Sequence, residues 1–322
     1  MARQREIIAN AKKKQRKIVT PLGMETQIDN YIQYCAEKNL KESTIDSYVF
    51  YLAYFKTYLR GKQHTLLVDD IKEKDIKDFL NNLREVRENA QATINSAISS
   101  IRPFFTYLVS EGRILINPME SIIKGKIDKK PIIPFTLEQL NKLLKQPDKS
   151  RYVGFRDFCI MLLLIDTGMR IQECLNIKIN DVKFKDSRIV LDKTKNRTPR
   201  IVGINEITKA ELKRFLGMCM KDCDRDEYLF QNQDGEQLKK RTIQENIKKY
   251  GQQAKIKDVR VSPHTFRHTF AINYIKNGGS TASLRAVLGH LTIETVEKYL
   301  YWSDSEIVEQ NIKYSPVTCM NI

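Results

Sequence analysis

Three separated stretches of the chain carry residue types suited to holding and acting on an anion. In Ser262-Pro263-His264-Thr265-Phe266-Arg267-His268, Ser262 reads as an N-cap and Pro263 as the first helical residue. Residues three apart share a helix face, so His264 and Arg267 can reach one cluster of anionic oxygens. On its own, a His-x-x-Arg pair on an amphipathic helix is more often structural. The second stretch, Asp166-Thr167-Gly168-Met169-Arg170-Ile171-Gln172-Glu173, places Arg170 just past a glycine turn, where a helix N-terminus also favours negative charge. The third is Leu288-Gly289-His290, followed nine residues later by Tyr299.

Elements drawn from most of the chain must position these groups. The chain has 322 residues, which suggests two domains, and 55 Lys plus Arg against 39 Asp plus Glu give a net charge of +16. An excess of that size attracts a polyanion and makes nucleic acid the leading partner, without separating an enzyme from a passive binder. No apolar run spans a membrane and no secretory signal is visible, so a cytoplasmic location without membrane attachment is expected. The six cysteines are scattered and lack zinc-site spacing, which points to reduced, mostly buried thiols.

Residues 1–22 read as a basic disordered tail or as an arm that orders on a phosphate backbone. Residues 23–122 read as a four-helix domain. Ile28, Tyr31, Ile32 and Cys35 repeat at helical spacing, and Ile45, Tyr48, Leu52, Phe55 and Leu59 continue it after a cap at Ser43. A helix from Asp75 to Val86 carries Ile76, Phe79 and Leu83. Another, from Asn89 to Val109, carries Ile94, Ile98, Ile101, Phe105 and Leu108, with Pro103 expected to kink or split it. Residues 123–135 read as a linker. Its lysines Lys124, Lys126, Lys129 and Lys130 are either solvated or track a phosphate backbone.

A second, mainly helical unit of residues 136–322 opens at the Thr136/Gln139 capping box. Phe158 to Ile165 reads as a buried helix closed at Thr167-Gly168. Asp181 to Leu191 and Arg200 to Ile204 suggest two strands of a small antiparallel sheet joined by the turn Asp192 to Pro199, before helices resume near Glu206.

With these motifs in order, the chain resembles the tyrosine recombinases, or phage integrases, a family that includes Xer-like enzymes and transposon integrases. Arg170 and Glu173 stand in the family's Thr-Gly-x-Arg-x-x-Glu setting, and His264 and Arg267 match its His-x-x-Arg. Leu288-Gly289-His290 matches its Leu-Gly-His, and the tyrosine nine positions beyond that histidine is Tyr299. The resemblance implies a mainly α fold with a small antiparallel sheet. It consists of an N-terminal four-helix core-binding domain and a C-terminal catalytic domain that together form a C-shaped clamp on duplex DNA. It also implies site-specific recombination, by integration, excision or transposition, through a 3′-phosphotyrosyl intermediate. Four protomers act on two DNA sites, with a monomer or dimer possible without DNA. The tail from Ser303 to Ile322, with Ile307, Val308 and Ile312, packs on a neighbouring protomer or on its own chain.

The implied roles have physical reasons. Arg170 and Arg267 offer planar forks to phosphate oxygens. His264 helps Tyr299 lose its proton, since a phenol of pKa about 10 is a poor nucleophile. His290 donates to the phosphate, and Glu173 braces the site. The family's general acid is a lysine on the turn between two strands. Lys195, five residues before Arg200, fits that spacing, and Lys193 is the alternative. Gly203 stands where a proline is usual, which leaves that register open. Tyr301 is a rival nucleophile turned to another helix face, and His268 points away from Arg267. Neither a Walker loop nor a paired-carboxylate metal motif is present, so no cofactor, metal or ATP is expected. A relaxing topoisomerase and a non-catalytic DNA-binding regulator are the alternative functions.

Overall fold

Apolar residues spaced three and four apart become the buried faces of helices, because that spacing keeps them on one side of a 3.6-residue turn. The computed structural model describes residues 23–62, 65–127, 133–191, 200–220, 223–289 and Ile312. It divides the chain into two compact units, Met1–Lys129 and Lys130–Ile322. His290, Tyr299, Tyr301, Lys193, Lys195, Lys129, Lys130, the residues 1–22 and the tail apart from Ile312 lie outside the described residues.

In the first unit the described helices are α1 (Met24–Glu37), α2 (Glu42–Gly61), α3 (Glu73–Asn81) and α4 (Gln91–Ser110). Tyr31, Cys35, Leu52, Phe55, Leu59, Ile76, Phe79, Leu83 and the five-residue stripe on α4 are all buried in one core. Three local expectations are corrected. Helix α2 starts at Glu42 with Lys41 as its N-cap, so Ser43 does not cap it. The Glu42 carboxylate in the first turn suits the helix dipole instead. Helix α3 starts at Glu73, because Asp75 folds back to accept the Lys72 amide at 2.8 Å, and a π-helical turn at Asn82–Val86 then delivers Leu83 to the core. Helix α4 runs through Pro103 without a break. An internal proline costs roughly 3 kcal/mol. Burial of Phe104, Phe105 and Leu108 directly after it, at about 1.5–3 kcal/mol each, outweighs that cost.

The stretch expected as linker is tied down at its start. Asn95 on α4 pairs with both sides of Gly125, accepting from its amide at 3.0 Å and donating to its carbonyl at 2.8 Å, and Arg102 donates to the Ile122 carbonyl. Lys124 and Lys126 are exposed on either side of that anchor.

The second unit comprises α5 (Leu137–Leu144), α6 (Tyr152–Thr167), α7 (Ile171–Leu175), β1 (Val182–Lys183), β2 (Arg188–Leu191), β3 (Arg200–Gly203), α8 (Glu206–Cys219), α9 (Lys240–Gln253), α10 (Pro263–Lys276) and α11 (Thr281–Leu288). The Thr136/Gln139 capping box opens α5 as expected. Helix α6 is apolar around most of its circumference and lies at the centre, packed by α8, α9 and α10. The small sheet is antiparallel in the order β1-β2-β3, with Ile189 opposite Val202 and Leu191 opposite Arg200. It has one strand more than expected. A 3-10 turn at Phe184–Asp186 and a left-handed Ser187 (φ 48°) fold the Asp181–Leu191 segment back on itself. The five described cysteines are free thiols, three of them buried.

Near the start of α6, Arg156 and Asp157 form a buried ion pair at 2.8 Å, with side chains 2% and 0% exposed. Arg156 also donates to the Gln231 carbonyl, while Asp157 accepts from Asn246 at 2.7 Å and from the Tyr250 hydroxyl at 3.1 Å. Desolvation and the Asp157 charge raise the Tyr250 pKa, so the phenol stays a donor. Removing one member of a buried pair leaves an uncompensated charge, which costs about 3–5 kcal/mol. Asp157→Ala is expected to lower stability by about that amount, read as a lower urea midpoint and faster amide exchange in α6. Asp157→Asn, which keeps some of the hydrogen bonds, should cost less.

Candidate active site

A glycine turn starts the site. Gly168 ends α6 with φ +60°, a conformation that strains any residue with a β-carbon, and a β-carbon there would also run into the Phe270 ring. The turn sets Arg170 in extended backbone at the head of α7. Its amide donates to Glu173 Oε2 at 2.8 Å, and its Nη1 donates to Glu173 Oε1 at 2.8 Å. Since α7 has only five residues, this carboxylate braces Arg170 more than any helix dipole does. The Arg170 side chain is 33% exposed and is the more accessible of the two expected guanidiniums.

Glu173 is shared. Its Oε2 also accepts Arg200 Nη2 at 2.6 Å, and both side chains are 10% exposed. Burial alone would raise the Glu173 pKa, but the charge of Arg200 and the hydrogen bonds and charge of Arg170 outweigh it and hold the carboxyl below the ordinary carboxylate value. The bridge therefore persists at neutral pH and is lost only as pH falls through that depressed pKa.

Ser262 caps α10, accepting the Thr265 amide, with Pro263 at the first helical position as expected. Arg267, one turn in, is 5% exposed. Its Nη1 donates to the Gly168 carbonyl at 2.8 Å and its Nη2 to the Leu288 carbonyl at 2.9 Å, which fixes the plane of the guanidinium. His264 is exposed on the first turn. Loss of hydration around its ring, then the positive charges of Lys240, Arg267, Arg260 and Arg170, lower its pKa. At neutral pH the imidazole is uncharged and faces a cationic surface. His268 is half-buried.

These groups meet at the C-terminal end of α11. The last carbonyls of a helix have no intrahelical donor and carry the negative end of its dipole. Here three arginines serve three successive carbonyls: Arg200 donates to Val287, Arg267 to Leu288, and Arg170, at 3.5 Å, to Gly289. The next residue is His290. Arg170, Glu173, His264 and Arg267 are thus brought together within one unit, whereas Lys124 and Lys126 belong to the other. Sequence reading gave Arg200 no place in the site. Its only signal was its position five residues after Lys195, which served to set the turn's register. Among the described residues no group of three or more His, Cys, Asp or Glu side chains is arranged to hold a metal, and no helix is long and apolar enough to cross a membrane.

Comparison with known proteins identifies the family. Residues 134–306, more than half of the chain, match the phage integrase family, and residues 28–112 match the N-terminal SAM-like domain of phage integrases. The tyrosine recombinase XerC of Oceanobacillus iheyensis is 29% identical over 302 residues, covering 91% of this chain and 97% of that protein. The tyrosine recombinase XerD of Staphylococcus haemolyticus is 29% identical over 297 residues, covering 91% and 99%. Among solved structures, the Tn1549 transposon integrase in complex with a circular intermediate DNA has the same fold, with a TM-score of 0.70 at 18% identity, covering 91% of this chain and all of that one. The chain belongs to the phage integrase family and is a tyrosine site-specific recombinase, an enzyme that acts on DNA.

Proposed function

We propose that Tyr299 is the nucleophile of strand cleavage and that Arg170 and Arg267 hold the non-bridging oxygens of the attacked phosphate. The Tyr299 oxygen bonds to phosphorus, the bond to the 5′ oxygen breaks, and a 3′-phosphotyrosyl link and a free 5′ hydroxyl result. The tyrosine proton passes to neutral His264, and Lys195, or Lys193 on the same turn, supplies the proton to the departing oxygen. His290 donates to the phosphate. Attack by the 5′ hydroxyl of the partner strand then reverses the step and restores the phosphodiester, so bond energy is conserved through the exchange.

The observation that supports this reading is that Arg170 and Arg267 both donate to carbonyls of the turn before His290, with Glu173 bracing Arg170 and the charges of both arginines helping to lower the His264 pKa. Fixed cations aimed at one point stabilise charge as it develops, without reorganising during the reaction. On DNA, four protomers assemble on two sites, and Lys124, Lys126, Lys129 and Lys130 lie along the phosphate backbone. The reaction serves integration, excision or transposition of a DNA element in the cytoplasm.

Two outcomes test the reading. On a duplex nicked beside the cleavage site, wild-type protein should accumulate a covalent adduct visible on a denaturing gel, and Tyr299→Phe should form none; an adduct with Tyr299→Phe would exclude Tyr299 as nucleophile. The single-turnover cleavage rate should fall on acidification with a midpoint below the ordinary histidine value of about 6.5, because protonated His264 cannot accept the tyrosine proton. His264→Gln should be slower and lack that acid limb; a limb retained in His264→Gln assigns it to another group.

A further inference from the structure

Arg200 is the first residue of β3, and its side chain reaches both Glu173 on α7 and the end of α11. Its Nη2 donates to Glu173 Oε2 at 2.6 Å, and its Nη1 donates to the Val287 carbonyl. Its Nε is buried without a hydrogen-bond partner among the described residues. The same group lies flat on the backbone just before His290. A β-carbon at Gly289 would stand 2.9 Å from Arg200 Cδ and 3.1 Å from Nε, so this approach requires glycine, as does the backbone φ of +66° there.

Burying a guanidinium with one N–H unsatisfied is expensive, and an apolar side chain would fill the space at lower cost. The attachments give the reason for an arginine. One arm sets the Glu173 carboxylate, which in turn holds the amide and Nη1 of Arg170. The other arm and the side-chain atoms Cδ and Nε set the backbone at Val287 and Gly289, the residue before His290 in the sequence. In the sequence Arg200 follows directly on residues 192–199, which include Lys193 and Lys195. A lysine carries its donors on one nitrogen and lacks the planar fork that spans the two acceptors.

We infer that Arg200 is a positioning residue for strand cleavage, holding Arg170 through Glu173 and the approach to His290 in one register without touching the phosphate. This rests on the roles proposed above for Arg170 and His290. Misplacing reacting groups by about an ångström costs up to about a hundredfold in rate, while the binding surface is left intact.

The test is single-turnover cleavage of the nicked duplex at saturating protein by the full chain, wild type against Arg200→Gln, Arg200→Lys, Glu173→Gln and the double variant Arg200→Gln/Glu173→Gln. DNA affinity is measured in parallel by gel shift and stability by urea unfolding. Both Arg200 variants should cleave about ten- to a hundredfold more slowly at saturating protein with affinity close to wild type, and Arg200→Lys, which keeps a cation beside Glu173, should unfold closer to the wild-type midpoint than Arg200→Gln. The double variant should be little slower than Glu173→Gln, because the two residues act through the same arginine. Arg200→Lys keeps the charge and most of the volume, and carries the test if Arg200→Gln does not fold. Wild-type rates in the Arg200 variants overturn the inference, as do losses that parallel lost affinity or stability, or losses that multiply fully with Glu173→Gln. Those results would leave the roles of Tyr299 and Arg170 standing, whereas a wild-type protein that forms no adduct removes both.

Discussion

A carboxylate buried between two guanidiniums loses most of its hydration, and only closely fitted hydrogen bonds recover that loss. Glu173 meets the condition because all its near neighbours are donors: the amide and Nη1 of Arg170 and the Nη2 of Arg200. From this one group, constraints spread outward. Arg170 is set at the mouth of the site, Arg200 is drawn off its strand, and the end of α11 is gathered in by the arginines that remain oriented toward it. A net charge of +16 would otherwise favour spreading such cations apart. The carboxylate and three backbone carbonyls are the negative charge that lets them cluster before any phosphate arrives.

Exposed and buried cations obey different rules. The charges of exposed lysines such as Lys124 and Lys126 are screened by salt within roughly 10 Å at 0.1 M. The buried guanidiniums of Arg200 and Arg267 act only at contact, where geometry decides. His264 lies where the two regimes meet. It is open to solvent, yet its protonation is governed by lost hydration and by cations on several elements.

Much of this was legible in the residues themselves. Periodic stripes gave the buried faces of α1 to α4, since those helices owe their existence to one-sided burial. Gly168, Arg170, Ser262 and Pro263 gave the two helix starts that carry site residues, because caps and left-handed turns have strong local chemistry. The motifs resembling those of a known family selected Arg170, His264 and Arg267. What failed were features decided by tertiary context. Ser43 is a good cap in isolation but is displaced when α2 starts two residues earlier, capped at Lys41. Pro103 is a helix breaker that flanking aromatic burial overrides. Arg200 escaped notice because its partners, Glu173 and Val287, lie 27 and 87 positions away, and no spacing rule reaches that far.

The tight approach at Gly289 and the turn at Gly168 bear on how such an enzyme can change. Each glycine is held by backbone conformation and by a side chain pressed against it, from Arg200 in one case and Phe270 in the other. Neither can drift independently: any replacement demands a simultaneous change in its neighbour. Laboratory evolution toward new DNA sequences will find its freedom on the exposed helix faces, with these two positions acting as fixed pivots around which the recognition surface diversifies.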